Sequence, residues 1–203
     1  MRSIWIIIPA QSFDRGKTRL APVLDASARR RFSRDCLVHL VRTARRVVSA
    51  RRIVVVSRAA QVLGLARRLG VRALHESSRG LNAAATDAEA FATIRGAQAT
   101  LVLHADLPGL GANDVRALMA KLARHDGVVL APDELRDGSN ALGLRPPGAI
   151  PFCFGPGSFN KHRSQARHER LSIRIVDSPG LARDIDTPEN YRVFSMSPPQ
   201  QHR

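Results

Sequence analysis

The sequence predicts one α/β domain built on a mainly parallel sheet, and three observations lead there. Short runs rich in β-branched residues, such as Ile4 to Ile8, Arg52 to Ser57 and Thr100 to His104, alternate with longer segments of helical periodicity. Strands joined through helices return in the same direction, because each crossover carries the chain back before the next strand begins. The 203 residues contain no internal repeat and no linker-like stretch. One core of this size buries roughly 70% of the unfolded surface without help from a disulfide or structural metal.

Taken in order, Ile4 to Ile8 is a buried first strand closed by Pro9, followed by a loop from Ala10 to Leu24. Asp25 or Ser27 can cap the next helix, whose apolar positions Phe32, Cys36, Leu40, Ala44 and Val48 recur at about helical spacing. Arg30, Arg31, Arg34, Arg42 and Arg45 cover its solvated side. Arg52 to Ser57 is the second strand, Ala59 to Leu69 a helix stopped by Gly70, and Val71 to His75 the third strand. Asn82 to Arg95 and Asn113 to His125 read as helices around the strand Thr100 to His104, and Gly127 to Ala131 is the fifth strand. Beyond Pro132, Asn140 to Leu144, Phe152 to Phe154 and Ser172 to Val176 read as short strands, with helices over Ser158 to Arg170 and Thr187 to Phe194. The domain is therefore placed at residues 1–194. The Pro, Gln and Ser content of Ser195 to Arg203 predicts a disordered tail.

Composition narrows the function classes. The net charge of +15 invites a nucleic-acid reading. However, three of the 32 basic residues are lysines (Lys17, Lys121, Lys161) and the other 29 are arginines scattered along the chain. Aromatics are 4%, too few to interleave with the charge as stacking platforms, so an arginine-rich surface that attracts anionic substrates is the simpler reading. The apolar run near the N-terminus stops at Pro9, too soon for a signal peptide or a membrane span. Cys36 and Cys153 lie far apart in no ligand-like spacing and read as small buried residues, which fits a reducing cytoplasm.

Five segments carry the chemistry. Gly16-Lys17-Thr18 looks like the end of a phosphate-binding Walker loop, but that motif needs a glycine where Gln11 stands. What survives is a loop after the first strand in which Lys17 and Arg19 can hold phosphates, Arg19 by bidentate contacts. Asp106 lies just past a buried strand and is followed closely by Pro108, a placement that stability explains poorly. Asp184 and Asp186 share one face of an extended segment before the helix start Thr187-Pro188-Glu189. With Asp106 they make a hard oxygen site suited to Mg²⁺ or Mn²⁺. Phe154-Gly155-Pro156-Gly157-Ser158-Phe159 opens a helix whose N–H groups and Ser158 hydroxyl could receive an anion. Asp137-Gly138-Ser139-Asn140 is a tight turn feeding a strand, where small polar residues allow close approach to the backbone.

Together HADLP, DGSNAL, FGPGSF and DIDTPEN resemble the 2-phospho-L-lactate and phosphoenolpyruvate guanylyltransferase family of coenzyme F420 biosynthesis, from the first strand to about Phe194. The resemblance implies a single Rossmann-like, GT-A-type nucleotidyltransferase domain with a mixed, mainly parallel sheet, working in the cytoplasm. It implies transfer of GMP from GTP to a three-carbon phospho-acid (2-phospho-L-lactate, phosphoenolpyruvate or 3-phospho-D-glycerate) with release of pyrophosphate. Carried over by position, Asp106, Asp184 and Asp186 would bind Mg²⁺ or Mn²⁺. Lys17, Arg19 and Asp106 would act in catalysis, and Gly80, Asn82, Lys17, Arg19 and Asp106 would bind the nucleotide. Ser139, Asn140, Gly155 and Ser158 would bind the acceptor. Gln11 and Ser139 depart from the family pattern, where lysine and threonine are usual. The implied partners are GTP and a small phosphorylated acid, with no nucleic acid and no membrane, and with a homodimer left open. A sugar-1-phosphate or molybdopterin nucleotidyltransferase would share the carboxylates but normally carries a glycine-rich first loop, and Ala10 to Asp14 has no glycine. The rival from another class, a basic nucleic-acid-binding protein, rests on charge alone.

Overall fold

The structure is a computed structural model in which residues 3–77 and 79–196 are described. The chain runs β1 (Ile4–Pro9), α1 (Ala26–Arg45), β2 (Ile53–Ser57), α2 (Ala60–Arg68), β3 (Arg72–His75), α3 (Leu81–Ile94), β4 (Ala99–Leu103) and α4 (Ala112–Arg124). It continues through β5 (Gly127–Pro132), β6 (Ser139–Arg145), α5 (Ser158–His168), β7 (Ile173–Ile175), α6 (Pro179–Ala182) and α7 (Pro188–Met196). One seven-stranded sheet has the order β3-β2-β1-β4-β6-β5-β7. β6 is antiparallel to both β4 and β5, while the remaining pairings are parallel, so the sheet is mixed and mainly parallel as expected.

The alternation of β1 builds both halves of the core. Ile4, Ile6 and Ile8 join Leu37, Leu40, Val41, Val115 and Leu118 from α1 and α4 on one face. Ile7 joins Ala84, Ala85 and Ala88 of α3 and Phe154 and Phe159 around α5 on the other. Both faces of β1 are covered, which is why its sequence reads as a continuous apolar run rather than an alternating one. Asp25 caps α1, its Oδ1 accepting the Ala28 N–H at 2.7 Å. α7 lies on the start of α1 through edge-to-face contacts of Phe32 with Tyr191 and Phe194.

Two expectations change, and one short helix is added. Phe152 to Phe154 is not a strand, because side chains take its hydrogen-bonding groups. The Cys153 N–H goes to His162 Nε2, the Phe154 N–H goes to Asn82 Oδ1, and the Phe154 carbonyl accepts from Asn82 Nδ2. α6 is a short helix begun by Pro179 at its first turn, the position where proline is tolerated. Ser195 and Met196, expected in the tail, form the end of α7. The rest of that expected tail, residues 197–203, lies outside the described residues.

Candidate active site

The sheet order puts a crevice beside the middle of the sheet. From β1 the chain moves outward through β2 and β3, then returns to the other side of β1 as β4. The loops leaving β1 and β4 therefore diverge at one edge, the position where open α/β sheets take ligands. Ile7 pairs with Val102, so the loop beginning at Ala10 and the Ala105-Asp106 turn leave the sheet side by side. Because β6 is reversed, its first residues lie at the same edge, with Leu103 opposite Ala141. Asn140 there donates from Nδ2 to the carbonyls of Leu181 (2.9 Å) and Ala182 (3.3 Å), which pins α6 over the edge. The chain leaving α6 is drawn to β4 by an Ile185 N–H to Asp106 carbonyl bond, and Asn190 Nδ2 holds the Asp184 carbonyl at 3.1 Å.

The result is convergence: Asp106, Asp184 and Asp186 bring one carboxylate oxygen each within 4.8 Å of one another. Lys17 lies among them, its Nζ 2.9 Å from Asp106 Oδ2 and 2.6 Å from Asp186 Oδ1, with only 9% of its side chain exposed. Its backbone is left-handed (φ 56°), uncommon for a residue other than glycine. Burial alone would lower the Lys17 pKa, but the carboxylates of Asp106 and Asp186 outweigh it and hold the ammonium above its ordinary range. Burial would likewise raise Asp106, and Lys17 reverses that, keeping its carboxylate ionised. Asp184 makes no ion pair among the described residues, and Lys17 opposes its shift only in small part. Burial, then repulsion from Asp106 and Asp186, push it up to about 6.

These residues fit a divalent cation. Three carboxylates and one ammonium leave a surplus of two negative charges when all are ionised. Asp106 Oδ1 is buried with no hydrogen-bond partner among the described residues, a lone pair that a hard cation would satisfy. Asp184 is raised first by burial and then by the negative charge of Asp106 and Asp186, a repulsion that a bound cation would offset.

Two cavities share the loop after β1, and the smaller one borders this cluster. One, of about 290 Å³, is bounded by the loop from Pro9 to Arg19 and by His104, Asp106 and Asp186. The other, of about 680 Å³, runs from the same loop over Val56 to Ala59 and Glu76 to the start of α3 at Gly80 and Leu81. Lys17 and Arg19 both line the first, and Arg19 is exposed there. Gly80 lines the second with φ 116°, a conformation that suits glycine, and an added Cβ would meet nothing within 4 Å.

Other expected residues make internal hydrogen bonds around the site. Asn82 spends its amide on both backbone groups of Phe154, tying the start of α3 to the loop before α5. Ser158 is 1% exposed, and its Oγ accepts the Ser139 N–H at 2.9 Å. The oxygen thereby fastens β6 to α5, while its own proton is left to donate. The nearby N–H groups are also engaged, Gly157 with Asp137 Oδ2 and Phe159 with the Asp137 carbonyl. Ser139 Oγ is buried against His162 Nδ1 at 3.0 Å. Because His162 Nε2 accepts from Cys153, its proton resides on Nδ1 and is donated to Ser139. Burial, then the nearby charges of His104 and Lys161, hold His162 down to about 4, so it stays neutral. Gly155 remains open, at φ 121° with nothing within 4 Å of an added Cβ.

Sequence reasoning passed over Arg15, which lines both cavities, and Arg58, Glu76 and Arg79, which line the larger one. The placement of Glu76 one residue past the third strand, on the same edge as Asp106, was the available signal.

A profile of the family described as "Guanylyl transferase CofC like" matches residues 4–197. A phosphoenolpyruvate guanylyltransferase of Rubrobacter xylanophilus is 39% identical over 201 residues, covering 99% of this chain and 98% of that protein. A 2-phospho-L-lactate guanylyltransferase of Methanothermobacter thermautotrophicus is 35% identical over 185 residues, covering 91% of this chain and 80% of that protein. Among solved structures, a candidate nucleotide-diphospho-sugar transferase of Desulfovibrio desulfuricans G20 superposes with a TM-score of 0.78 at 15% identity, covering 100% of this chain and 90% of that one. That last likeness concerns the Rossmann-like nucleotidyltransferase fold alone.

Proposed function

The chain belongs to the CofC-like guanylyl transferase family, and on that premise we propose that it transfers GMP from GTP to a three-carbon phospho-acid, releasing pyrophosphate. The observation that carries this reading is the Asp106–Asp184–Asp186 cluster, with Lys17 paired to Asp106 and Asp186, bordering a cavity on the ligand-binding edge. The acceptor is phosphoenolpyruvate, 2-phospho-L-lactate or 3-phospho-D-glycerate, and its product would serve coenzyme F420 biosynthesis.

The attacking atom is a phosphate oxygen of the acceptor, already anionic near neutral pH, so no general base is needed. It forms a bond to the α-phosphorus of GTP while the bond from that phosphorus to the bridging oxygen breaks, and the electron pair leaves on pyrophosphate. Two polyanions must be brought together in line, so positioning and charge neutralisation dominate the catalysis. Mg²⁺ or Mn²⁺, held by Asp106, Asp184 and Asp186, would supply neutralisation of phosphate charge when bound. Lys17, already ionised among the carboxylates, is free to turn one hydrogen bond toward a phosphate oxygen. Arg19 and Arg15, exposed at the cavity mouth, offer guanidinium groups to the triphosphate. The acceptor approaches past Gly155, whose missing side chain leaves that wall open. Ser139, Asn140 and Ser158 shape this wall from behind through their buried hydrogen bonds.

The test is to incubate the protein with GTP, each of the three acids in turn and Mg²⁺ or Mn²⁺, following pyrophosphate release. Turnover that requires one acid, GTP and the metal together supports the reading. Absence of pyrophosphate with all three acids refutes it. A salt-sensitive gel shift without turnover would favour the nucleic-acid alternative.

A further inference from the structure

Resting on the reading above, we infer that Glu76 is the specificity-determining residue for the base, its carboxylate accepting from the N1–H and exocyclic amine of guanine in the larger cavity. The sheet order fixes where a base can lie. Asp106 follows β4 and Glu76 follows β3, with β1 and β2 between them. Three steps of about 4.8 Å separate the two strand ends by about 14 Å, comparable to an extended nucleotide. With its phosphates at the carboxylate cluster, a nucleotide laid along this edge reaches the β3 end with its base.

The wall of the larger cavity supports this placement. Val56, Leu81 and Ala84 give it an apolar side against which a flat ring can rest. Two carboxylates line it, Asp14 and Glu76. Asp14 is taken, 2.6 Å from Arg30 and 2.7 Å from Gln61. Glu76 gives one oxygen, Oε1, to the Gly80 N–H at 2.8 Å, which orients the side chain across the cavity rim. Its backbone N–H is fixed on the Ser57 carbonyl at 3.1 Å. No hydrogen bond is made by Oε2 among the described residues.

A carboxylate only accepts hydrogen bonds. Guanine places two donors side by side on its Watson–Crick edge, whereas adenine places an acceptor, N1, at that position. The group that holds guanine therefore repels adenine, combining attraction with exclusion.

The experiment measures equilibrium binding of GTP, inosine triphosphate, ATP and xanthosine triphosphate to the full chain and to Glu76→Gln, with no acceptor present. Glutamine keeps an acceptor oxygen for the Gly80 N–H, and a melting curve checks that the fold is kept. In the unsubstituted chain, loss of the exocyclic amine should weaken inosine triphosphate about 10-fold relative to GTP. Glu76→Gln should weaken GTP about 10- to 150-fold, the range for a hydrogen bond to a charged group, and should not weaken ATP, which is relieved of the repulsion at N1. The same variant should gain xanthosine triphosphate, because its amide can donate to the carbonyl that replaces the amine. Misfolding cannot produce that gain. Equal weakening of GTP and ATP would place the carboxylate on the ribose and overturn the inference, as would unchanged GTP binding. A chain that prefers GTP through Glu76 yet turns over none of the acids would uphold this inference and overturn the proposed reaction. Turnover with GTP and indifference to Glu76 would do the reverse.

Discussion

Replacing Lys17 by methionine should weaken catalysis and strengthen metal binding at once. Lys17 Nζ lies 2.9 Å from Asp106 and 2.6 Å from Asp186, whose side chains are 26% and 42% exposed. Removing one partner of a fully buried pair costs about 3–5 kcal/mol, and this much exposure reduces that to roughly 1–2 kcal/mol. In a domain of this size the melting temperature in chelator should fall by about 2–8 °C. A divalent ion on the order of 5 Å from the ammonium would be repelled by about 1.7 kcal/mol even at the permittivity of water, so deleting the ammonium should tighten metal binding about 15-fold. Turnover should nevertheless drop by about 10²-fold or more, because a positive charge positioned for the phosphates is gone. The assays are Mn²⁺ titration by calorimetry, melting with and without metal, and pyrophosphate release at saturating metal. Unchanged or weaker Mn²⁺ binding in Lys17→Met would refute the view that this ammonium offsets the carboxylate charge. Near-normal turnover would remove it from the catalytic step.

Asp106→Asn, Asp184→Asn and Asp186→Asn should each reduce turnover about 10²-fold at saturating metal while melting cooperatively, and a variant that keeps its rate would not be a metal ligand. Ser158→Ala should leave the Ser139 N–H buried without an acceptor, costing about 1–3 kcal/mol and lowering the melting temperature by about 2–12 °C, with the KM of both substrates little changed. A large rise in the acceptor KM with normal melting would instead return Ser158 to direct substrate contact. Metal affinity should depend on pH through Asp184. Its folded-state pKa is raised to about 6, so below that pH the metal-free site holds a proton that a cation must displace. From this group, the stability of the metal-free fold is lost as pH rises from the ordinary carboxylate range to about 6. Mn²⁺ binding should accordingly weaken about tenfold between pH 7 and pH 5. Asp184→Asn should flatten that slope, and an unchanged slope would assign the proton elsewhere.

The elements whose periodicity is set by burial were the legible ones. β1, β2 and β4 are covered on both faces, so their sequences are unbroken apolar runs, and the alanine face of α3 follows from its packing on β1. The segment Phe152 to Phe154 misled for the opposite reason. Its aromatic rings serve the core like those of a strand, but its backbone is held by Asn82 and His162, distant side chains that no local pattern reveals. The same limit divides the candidate site. Asp106, Asp184 and Asp186 were readable because carboxylates just beyond extended segments have little structural use, and strand ends of one sheet must share an edge. Ser139, Asn140, Ser158 and Asn82 are polar residues in glycine-rich or helix-starting positions, where a ligand contact and a buried hydrogen bond leave the same trace in sequence. Here each side chain has an internal partner. Those bonds connect β6, α3, α5 and α6, the elements around the carboxylates, so the polar residues position the candidate site that the acidic ones compose. A substitution among them should act first on melting and only then on rate, whereas one among the aspartates should act on rate with the fold intact.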